Sequence, residues 1–482
     1  MNWIITENNK RINLPDIPEI SIENLKNDLR SLKLRPIGFF GNKEQLNTRL
    51  YIILADDKKG QFYVSSVLFT EDMKSYESLT PEFPQFHNFE REFFEDFGIE
   101  PLNHPWLKPL RKNQDKYPFF EMKGEDIHEV SVGPIHAGII EPGHFRFMCR
   151  GEKIFNLEIM LGYQHRGIEK LMLNPNNRLA ESICGDTVIG YNTVYSQLME
   201  ALSDTVITDR AAIIRRIALE MERIAVHIGD LGAIAGDMAY LQGAAVFGAA
   251  RTLVINTMLE ISGSRFGRGL IETGGVNFDI TAETAQNIRI MLKKVIKTVK
   301  KAVNIMMRNP SCTSRMEETG IVSRDTALKL GACGMAARSS GVNIDSRFDF
   351  KDKWYKEAPF KIDIKHIGSV SARFYLRFQE IIQSAEFIED LLEEAAIHHE
   401  DLKVREKNLI PESFAVSIIE GWRGEIVHCS LTGIDGRIIR YKIKDPSFNN
   451  WHMLSMAVRN NGISDFPLCN KSFNLSYCGF DL

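Results

Sequence analysis

FPQFHNFEREFFEDFGIEPLNHPWLKPL, residues 83–110, holds the first decisive pattern of this chain. Phe89, Phe93, Phe94 and Phe97 recur at helical spacing, which predicts an amphipathic helix with an aromatic edge turned into a core. Gly98 follows as its C-terminal cap, because a residue free to take positive φ closes a helix at little cost. Upstream, LYIILA (Leu50–Ala55) and QFYVSSVLF (Gln61–Phe69) are apolar, β-branched runs around DDKKG, a hairpin signal. These pieces predict a small α+β unit over the first hundred or so residues. The stretch NHPWLKPLRKNQDKYP (103–118), rich in Pro and basic residues, reads as the linker that ends it.

Beyond the linker, residues 129–161 carry a second β-containing segment, with HFRFMCR (His144–Arg150) before a GEK turn. From about Ile168 to Val303 the pattern is helical. DRAAIIRRIALEMERIAVHIGDLGAI (Asp209–Ile234) has an apolar stripe opposed by charges, as in a bundle helix. Further helices are predicted over Ala282–Met307 and Ser371–His398, and short strands return after Phe414 with a hairpin at GIDGR. The fold class is therefore α+β, with a small N-terminal domain joined to a larger part built on a helical-bundle core with small β pieces.

Leu231–Ala250 (LGAIAGDMAYLQGAAVFGAA) is long enough to span a bilayer. Its Asp237, Gln242 and many small residues predict instead a closely packed, buried helix pair, so no transmembrane segment is expected. The start, MNWIITENNKR, lacks the apolar core of a signal peptide. A formal net charge of −4, from 59 basic and 63 acidic residues interspersed along the chain, excludes a general nucleic-acid binder. The seven cysteines never form a C-x-x-C pair, which excludes a zinc ribbon and a disulfide framework and suits a reducing compartment. The glycines of RFGRGLIETGGV do not link a strand to a helix, so they are no dinucleotide fingerprint.

Motifs extend this reading. Glu90, Arg91, Glu92, Asp96, Phe97, Gly98, Ile99, His104 and Pro105 resemble the signature of the 30-kDa-type subunit of respiratory complex I. From residue 133 the chain is similar to the 49-kDa-type subunit and to the large subunit of energy-converting nickel–iron hydrogenases. The carriers are GPIHAGIIEPGHFRF (133–147), GYQHRGIEKLM (162–172), MERIAVHIGDLG (221–232), RFGRGLIETGGV (265–276), ARSSGVNIDSR (337–347), SVSARFYLRFQEI (369–381) and EGWRGEI (420–426), in family order. The resemblance implies a fusion, with a 30-kDa-like domain over 1–120 and a hydrogenase-large-subunit-like or 49-kDa-like domain over 128–482.

A nickel–iron centre needs four thiolates from two C-x-x-C pairs. Mapped by resemblance, the first pair falls on Cys184 and Thr187, and the second on Ser476 and Gly479, with Cys478 out of register between them. Soft thiolates are what such metals require, so no metal is expected here. Hydrogenases of this type also carry a C-terminal extension removed after metal insertion, whereas Leu482 stands three residues past Gly479. In complex I the same cavity became a quinone site, but its tyrosine corresponds to Gly185 and its second histidine has no match in HAGIIEPGH. A quinone ligand is left open.

The resemblance implies that Glu141, His144, Arg146, His165, Cys184, Asp186, Arg423, Glu425, Cys478 and Asp481 converge on the ancestral cavity. Of these, Glu141, His144, Cys184, Asp186 and Arg423 are expected to carry the chemistry. Carboxylates and histidines are the usual proton carriers, and Asp186 in a partly apolar cleft is expected to have a raised pKa. The bland alternative makes Arg146, Glu425 and Asp481 structural ion-pair partners, and the cysteines inert buried thiols. The implied function is a peripheral-arm subunit of a membrane-bound hydrogenase-like or complex I-like oxidoreductase, cytoplasmic and on the inner face of the cell membrane. It would couple electrons from a small iron–sulfur subunit to proton or ion movement beside antiporter-like membrane subunits, with no cofactor of its own. A non-catalytic scaffold and an active hydrogenase are the alternatives.

Overall fold

The computed structural model describes residues 2–112, 117–136, 138, 140–350, 353–355 and 367–482. Part of the linker (113–116) and two residues of the HAGII loop (137 and 139) lie outside the described residues.

The N-terminal part contains β1 (Ile4–Glu7), β2 (Ile12–Asn13), α1 (Ile22–Leu32), β3 (Arg35–Glu44), β4 (Asn47–Asp56), β5 (Gln61–Phe69), β6 (Ser75–Glu77), α2 (His87–Phe97) and β7 (Glu100–Leu102). Strands β1-β5-β4-β3 form an antiparallel sheet whose β4–β5 hairpin turns through DDKKG. The strands read as apolar runs rather than as alternations because both faces are covered. Phe39, Leu50, Ile52 and Phe69 pack with Phe89 and Phe93 of α2. Phe40, Tyr51, Ile53 and Phe62 pack on the far side with Phe414, Val416 and Val427 from the C-terminal part.

Helix α2 ends at Gly98 in the left-handed region, with its N–H on Phe94 O at 2.8 Å. Glu90, Arg91 and Glu92 of its motif are buried as well, and each fastens a different segment. Glu90 accepts from Ser78, Leu79 and Thr80; Arg91 donates to the Lys108 and Pro109 carbonyls; Glu92 pairs with Arg111 and Lys442.

Strands β8 (His128–Val132), β9 (His144–Arg150) and β10 (Lys153–Met160) make a second sheet in the order β10-β9-β8. Two one-turn helices, α3 (Ile168–Leu171) and α4 (Asn177–Ala180), lead into α5 (Val188–Leu202), α6 (Asp209–Asp237) and α7 (Leu241–Ser262). A short hairpin, β11 (Ile271–Glu272) with β12 (Gly275–Val276), precedes α8 (Ala282–Met306). Then come α9 (Pro310–Glu317), α10 (Arg324–Lys329), α11 (Gly334–Ser339), α12 (Ser346–Asp349) and α13 (Val370–Ala395). Helix α6 packs against α7 and α13, and α7 against α8, which makes the helical core.

Strands β13 (Ser413–Glu420), β14 (Glu425–Thr432) and β15 (Ile438–Lys444) are followed by α14 (Ser447–Ala457), α15 (Phe466–Phe473) and α16 (Tyr477–Asp481). Their sheet has the order β15-β14-β13-β2, so a strand from the N-terminal part completes it, with Ile12 facing Phe414 and Asn13 facing Ser413.

The apolar stretch 231–250 is the expected helix pair, but only its first helix is largely buried. The chain reverses at Ala239, at φ +59, so this stretch is the joint between α6 and α7 and not one span. The α6 side is buried, but α7 leaves Leu241, Val246 and Leu259 exposed. By length and composition α7 alone among the described helices is apolar enough to cross a membrane.

The N-terminal and C-terminal sheets are also joined by charge. Glu425, 0% exposed, accepts from Arg35 at 2.6 Å and from Lys444 at 2.6 Å. Burial opposes its ionisation, but the Arg35 and Lys444 charges outweigh this and hold it at about 2. Glu425→Gln is expected to destabilise the protein by about 3–5 kcal/mol, because it strands Lys444 without an acid. A depressed carboxyl contributes fully above its unfolded value of 4.5 and loses that contribution as pH falls towards 2. The gap between wild type and variant in denaturant melts should therefore narrow from pH 7 to pH 3; a constant gap would remove the ionic account.

Candidate functional site

The site assembles where three distant segments meet: the loop before α5, the turn joining β13 to β14, and the start of α16. Backbone geometry brings them close. Gly334, at φ +63 and opening α11, lies so near the turn that a Cβ there would sit 2.3 Å from Arg423 O. The guanidinium of Arg423, 3% exposed, stacks over Trp422 with its central carbon 4.0 Å from the ring centroid. It donates to Asp186 Oδ2 at 2.8 Å and to Asn474 O at 2.6 Å, and Nη1 lies 3.9 Å from Cys184 Sγ.

Cys184 Sγ lies 2.9 Å from Asp186 Oδ1, to which its S–H donates, and 3.1 Å from Ser476 Oγ. Ser476 Oγ is 3.5 Å from Cys478 Sγ, so the hydroxyl bridges the two thiols. Ser476 caps α16 by accepting the Gly479 N–H at 2.8 Å. Glu141 stands close enough to Cys478 to act on its thiol. Glu141, Cys184, Asp186, Arg423 and Cys478 thus form one cluster.

The other expected members lie elsewhere. Alternation along β9 sends Phe145 and Phe147 into the core and His144 and Arg146 to the opposite face. There His144 Nε2 is 2.6 Å from Ser131 Oγ, and Arg146 pairs with Glu129 over the Phe119 ring. No described hydrogen bond joins His144 to the thiols. His165 and Asp481 form a lock rather than a site: Asp481 accepts from Gly162 N at 2.6 Å and Gln164 N at 2.8 Å, and His165 Nδ1 meets Asp481 O at 2.8 Å. Burial pushes the Asp481 carboxyl up to about 6. Glu425 belongs to the inter-sheet ion pair described above.

Asp186 also departs from expectation. Packing opposes its ionisation, but the Arg423 charge and bonds from Cys184, Arg423 and Thr187 outweigh it, so its carboxyl lies below the usual range. It is an anchor for Arg423, half open to solvent with 48% of its side chain exposed. The raised carboxyl is a neighbour, Glu222 of α6, which burial pushes up to about 8 although it accepts from Ile189 N and Gly190 N at the start of α5. Glu222 lines a mostly apolar pocket with Asp186, Met221, Val254, Met258 and Phe266. It stands inside the motif MERIAVHIGDLG, where it reads as one more charge on the polar side of a bundle helix.

The donor positions do not fit a four-thiolate centre. Thr187 Oγ1 donates to Asp186 at 2.9 Å and accepts from Trp422 Nε1 at 3.0 Å, which locks it in place. At Gly479 a Cβ would lie 2.4 Å from Asp445 Oδ2. That carboxylate is itself held by Tyr191 OH and Ser447 N, each at 2.6 Å. Beside Gly185, in contrast, no atom lies within 4 Å of where a side chain would begin.

Comparison with known proteins matches residues 237–481 to the family of the respiratory-chain NADH dehydrogenase 49-kDa subunit and residues 41–120 to that of the 30-kDa subunit. Formate hydrogenlyase subunit 5 of Escherichia coli (strain K12) is 27% identical over 474 residues, covering 91% of this chain and 83% of the relative. The membrane-bound hydrogenase alpha polypeptide of Pyrococcus furiosus is 28% identical over 365 residues, covering 72% and 85%. The NADH-quinone oxidoreductase C/D polypeptide of Phocaeicola vulgatus is 25% identical over 379 residues, covering 70% and 73%. A solved chain from the membrane-bound sulfane sulfur reductase, an archaeal respiratory membrane complex, shares the fold, with a TM-score of 0.69, 22% identity and coverage of 74% of this chain and 99% of that one. The chain belongs to the 49-kDa-subunit family of respiratory-chain NADH dehydrogenase, carrying a 30-kDa-type unit at its N-terminal side.

Proposed function

We propose that this chain is the peripheral-arm subunit of a membrane-bound, hydrogenase-like or complex I-like oxidoreductase. It takes part in passing electrons from an adjacent iron–sulfur subunit to a redox step coupled to proton or ion movement, without a nickel–iron centre. The relatives named above support the complex. The observation that carries the rest is the ancestral cavity rebuilt around two thiols, with Arg423, Asp186 and Glu141 gathered about Cys184 and Cys478. The 30-kDa-like unit ends within the linker before residue 128 in this reading.

Proton movement at this site falls to Glu222. Its carboxyl is protonated at neutral pH, sits in an apolar pocket and lies beside Asp186. Activity of the assembled complex is expected to show an ionisation near 8 that Glu222→Gln removes, with assembly unchanged. Asp186→Asn should lower turnover by releasing Arg423, again with intact assembly. Normal turnover and an unchanged pH profile in both assembled variants would leave the scaffold reading in place. The depressed Asp186 carboxyl, engaged as an anchor, is the observation that favours that second reading.

Protein produced with the hydrogenase maturation machinery is expected to contain no stoichiometric nickel in elemental analysis. One nickel per chain would overturn this. Restoring cysteines by Thr187→Cys, Ser476→Cys and Gly479→Cys is expected to give poorly folded protein rather than a nickel site, because the third collides with Asp445; a soluble, nickel-loaded triple variant would sink that account.

A further inference from the structure

Two of the seven cysteines are paired through space. Cys184 and Cys478, far apart in sequence, share Ser476 Oγ, which lies 3.1 Å from the first sulfur and 3.5 Å from the second. The other five, Cys149, Cys312, Cys333, Cys429 and Cys469, are buried free thiols. The pair is asymmetric. Cys184 is buried, whereas Cys478 is half-buried. Each has a carboxylate beside its sulfur, Asp186 for Cys184 at 2.9 Å and Glu141 for Cys478. Next to Cys184, the position of Gly185 opens on free space, so a small molecule has room to approach.

We propose that Cys184 and Cys478 form a redox-active dithiol that reacts with small disulfides, with Cys478 attacking and Cys184 resolving. In the first step the Cys478 thiolate attacks one sulfur of R–S–S–R. The S–S bond breaks, a mixed disulfide forms on Cys478, and R–S⁻ leaves to take up the proton that Cys478 released by way of Glu141. In the second step Cys184 gives its proton towards Asp186 and attacks Cys478 Sγ. The mixed disulfide breaks, the second R–S⁻ leaves and is protonated, and an internal Cys184–Cys478 bond remains. The chain loses two protons and two electrons, and R–S–S–R becomes two R–SH. Returning to the dithiol takes two electrons, which the adjacent iron–sulfur subunit of the proposed function would supply, and two protons, which come from water.

The electrostatics agree with the division of labour. The neighbouring Cys184 lowers the Cys478 thiol below its ordinary value, although burial and Glu141 oppose this. The neighbouring Cys478, burial and the Asp186 charge raise Cys184 well above its ordinary value. The thiolate is the nucleophile, so the outer cysteine is the one prepared to react. Two soft donors also suit a disulfide better than a transition-metal ion, which would need more of them.

Oxidised glutathione added to the full-length chain tests this without any partner subunit, so the outcome does not depend on electron coupling in the complex. Intact mass is expected to fall by two hydrogens, and non-reducing peptide mapping should return one linked pair, Cys184 with Cys478. The remaining five cysteines should stay alkylatable after denaturation. Cys184→Ser should trap a glutathione adduct on Cys478, and Cys478→Ser should abolish reaction at Cys184. Wild-type protein that keeps both thiols free, or that carries a lasting adduct on either one, would overturn the proposal. The wild-type result decides alone if either variant fails to fold.

Discussion

Arg423 is the constraint on which the site depends. A guanidinium this buried holds its charge only with partners around every face. It finds them in Asp186, the Asn474 carbonyl, the Trp422 ring and the neighbourhood of Cys184. These partners come from three separate stretches of chain, so fixing one cation fixes the loop before α5, the β13–β14 turn and the approach to α16. Behind it lies a larger buried network. Arg338 donates to Glu380 at 2.6 Å and to Glu420 at 2.8 Å, while His227 meets Glu380 at 2.8 Å and stands edge-on to Trp422. The turn carrying Arg423 is thereby braced from the helical core.

The positions that the resemblance to hydrogenases assigns to metal ligands have been absorbed into ordinary protein chemistry. Thr187 and Ser476 are hydrogen-bonded on both sides, and the space next to Gly479 is taken by the Asp445 carboxylate. Polar groups around the old cavity now satisfy one another, as buried donors and acceptors must. The two sulfurs belong to the same set of contacts, Cys184 through Asp186 and Ser476, and Cys478 through Ser476.

The elements were largely legible in the sequence, because their causes are local. The spacing of Phe89 and Phe93, the cap at Gly98 and the long stripe of α6 depend on neighbours a few residues away. Residue order also placed Cys184 beside Ser476, since the motifs carry a known arrangement with them. Three things were not legible. His144 was set aside by strand alternation, which depends on which face of β9 meets Phe466 and Tyr477. The Asp186 charge was decided by Arg423, 237 residues away. Glu222 looked like a solvated helix charge until α5 and α7 closed around it. Each failure concerns a long-range neighbour that periodicity cannot report.

The pairing of β2 with β13 has a kinetic consequence. Asn8 Nδ2 reaches Ile418 O across 410 residues of sequence, and the edge of β13 has no strand partner on that side until this contact forms. Loop closure over such a separation is slow, and ribosomal synthesis delivers the two strands at opposite ends of translation. Until that contact forms, the edge of β13 is a template for pairing with other chains. Tethering the 30-kDa-type unit to the 49-kDa-type unit therefore does more than fix stoichiometry: the strand that completes the sheet is carried on the same chain, at high local concentration.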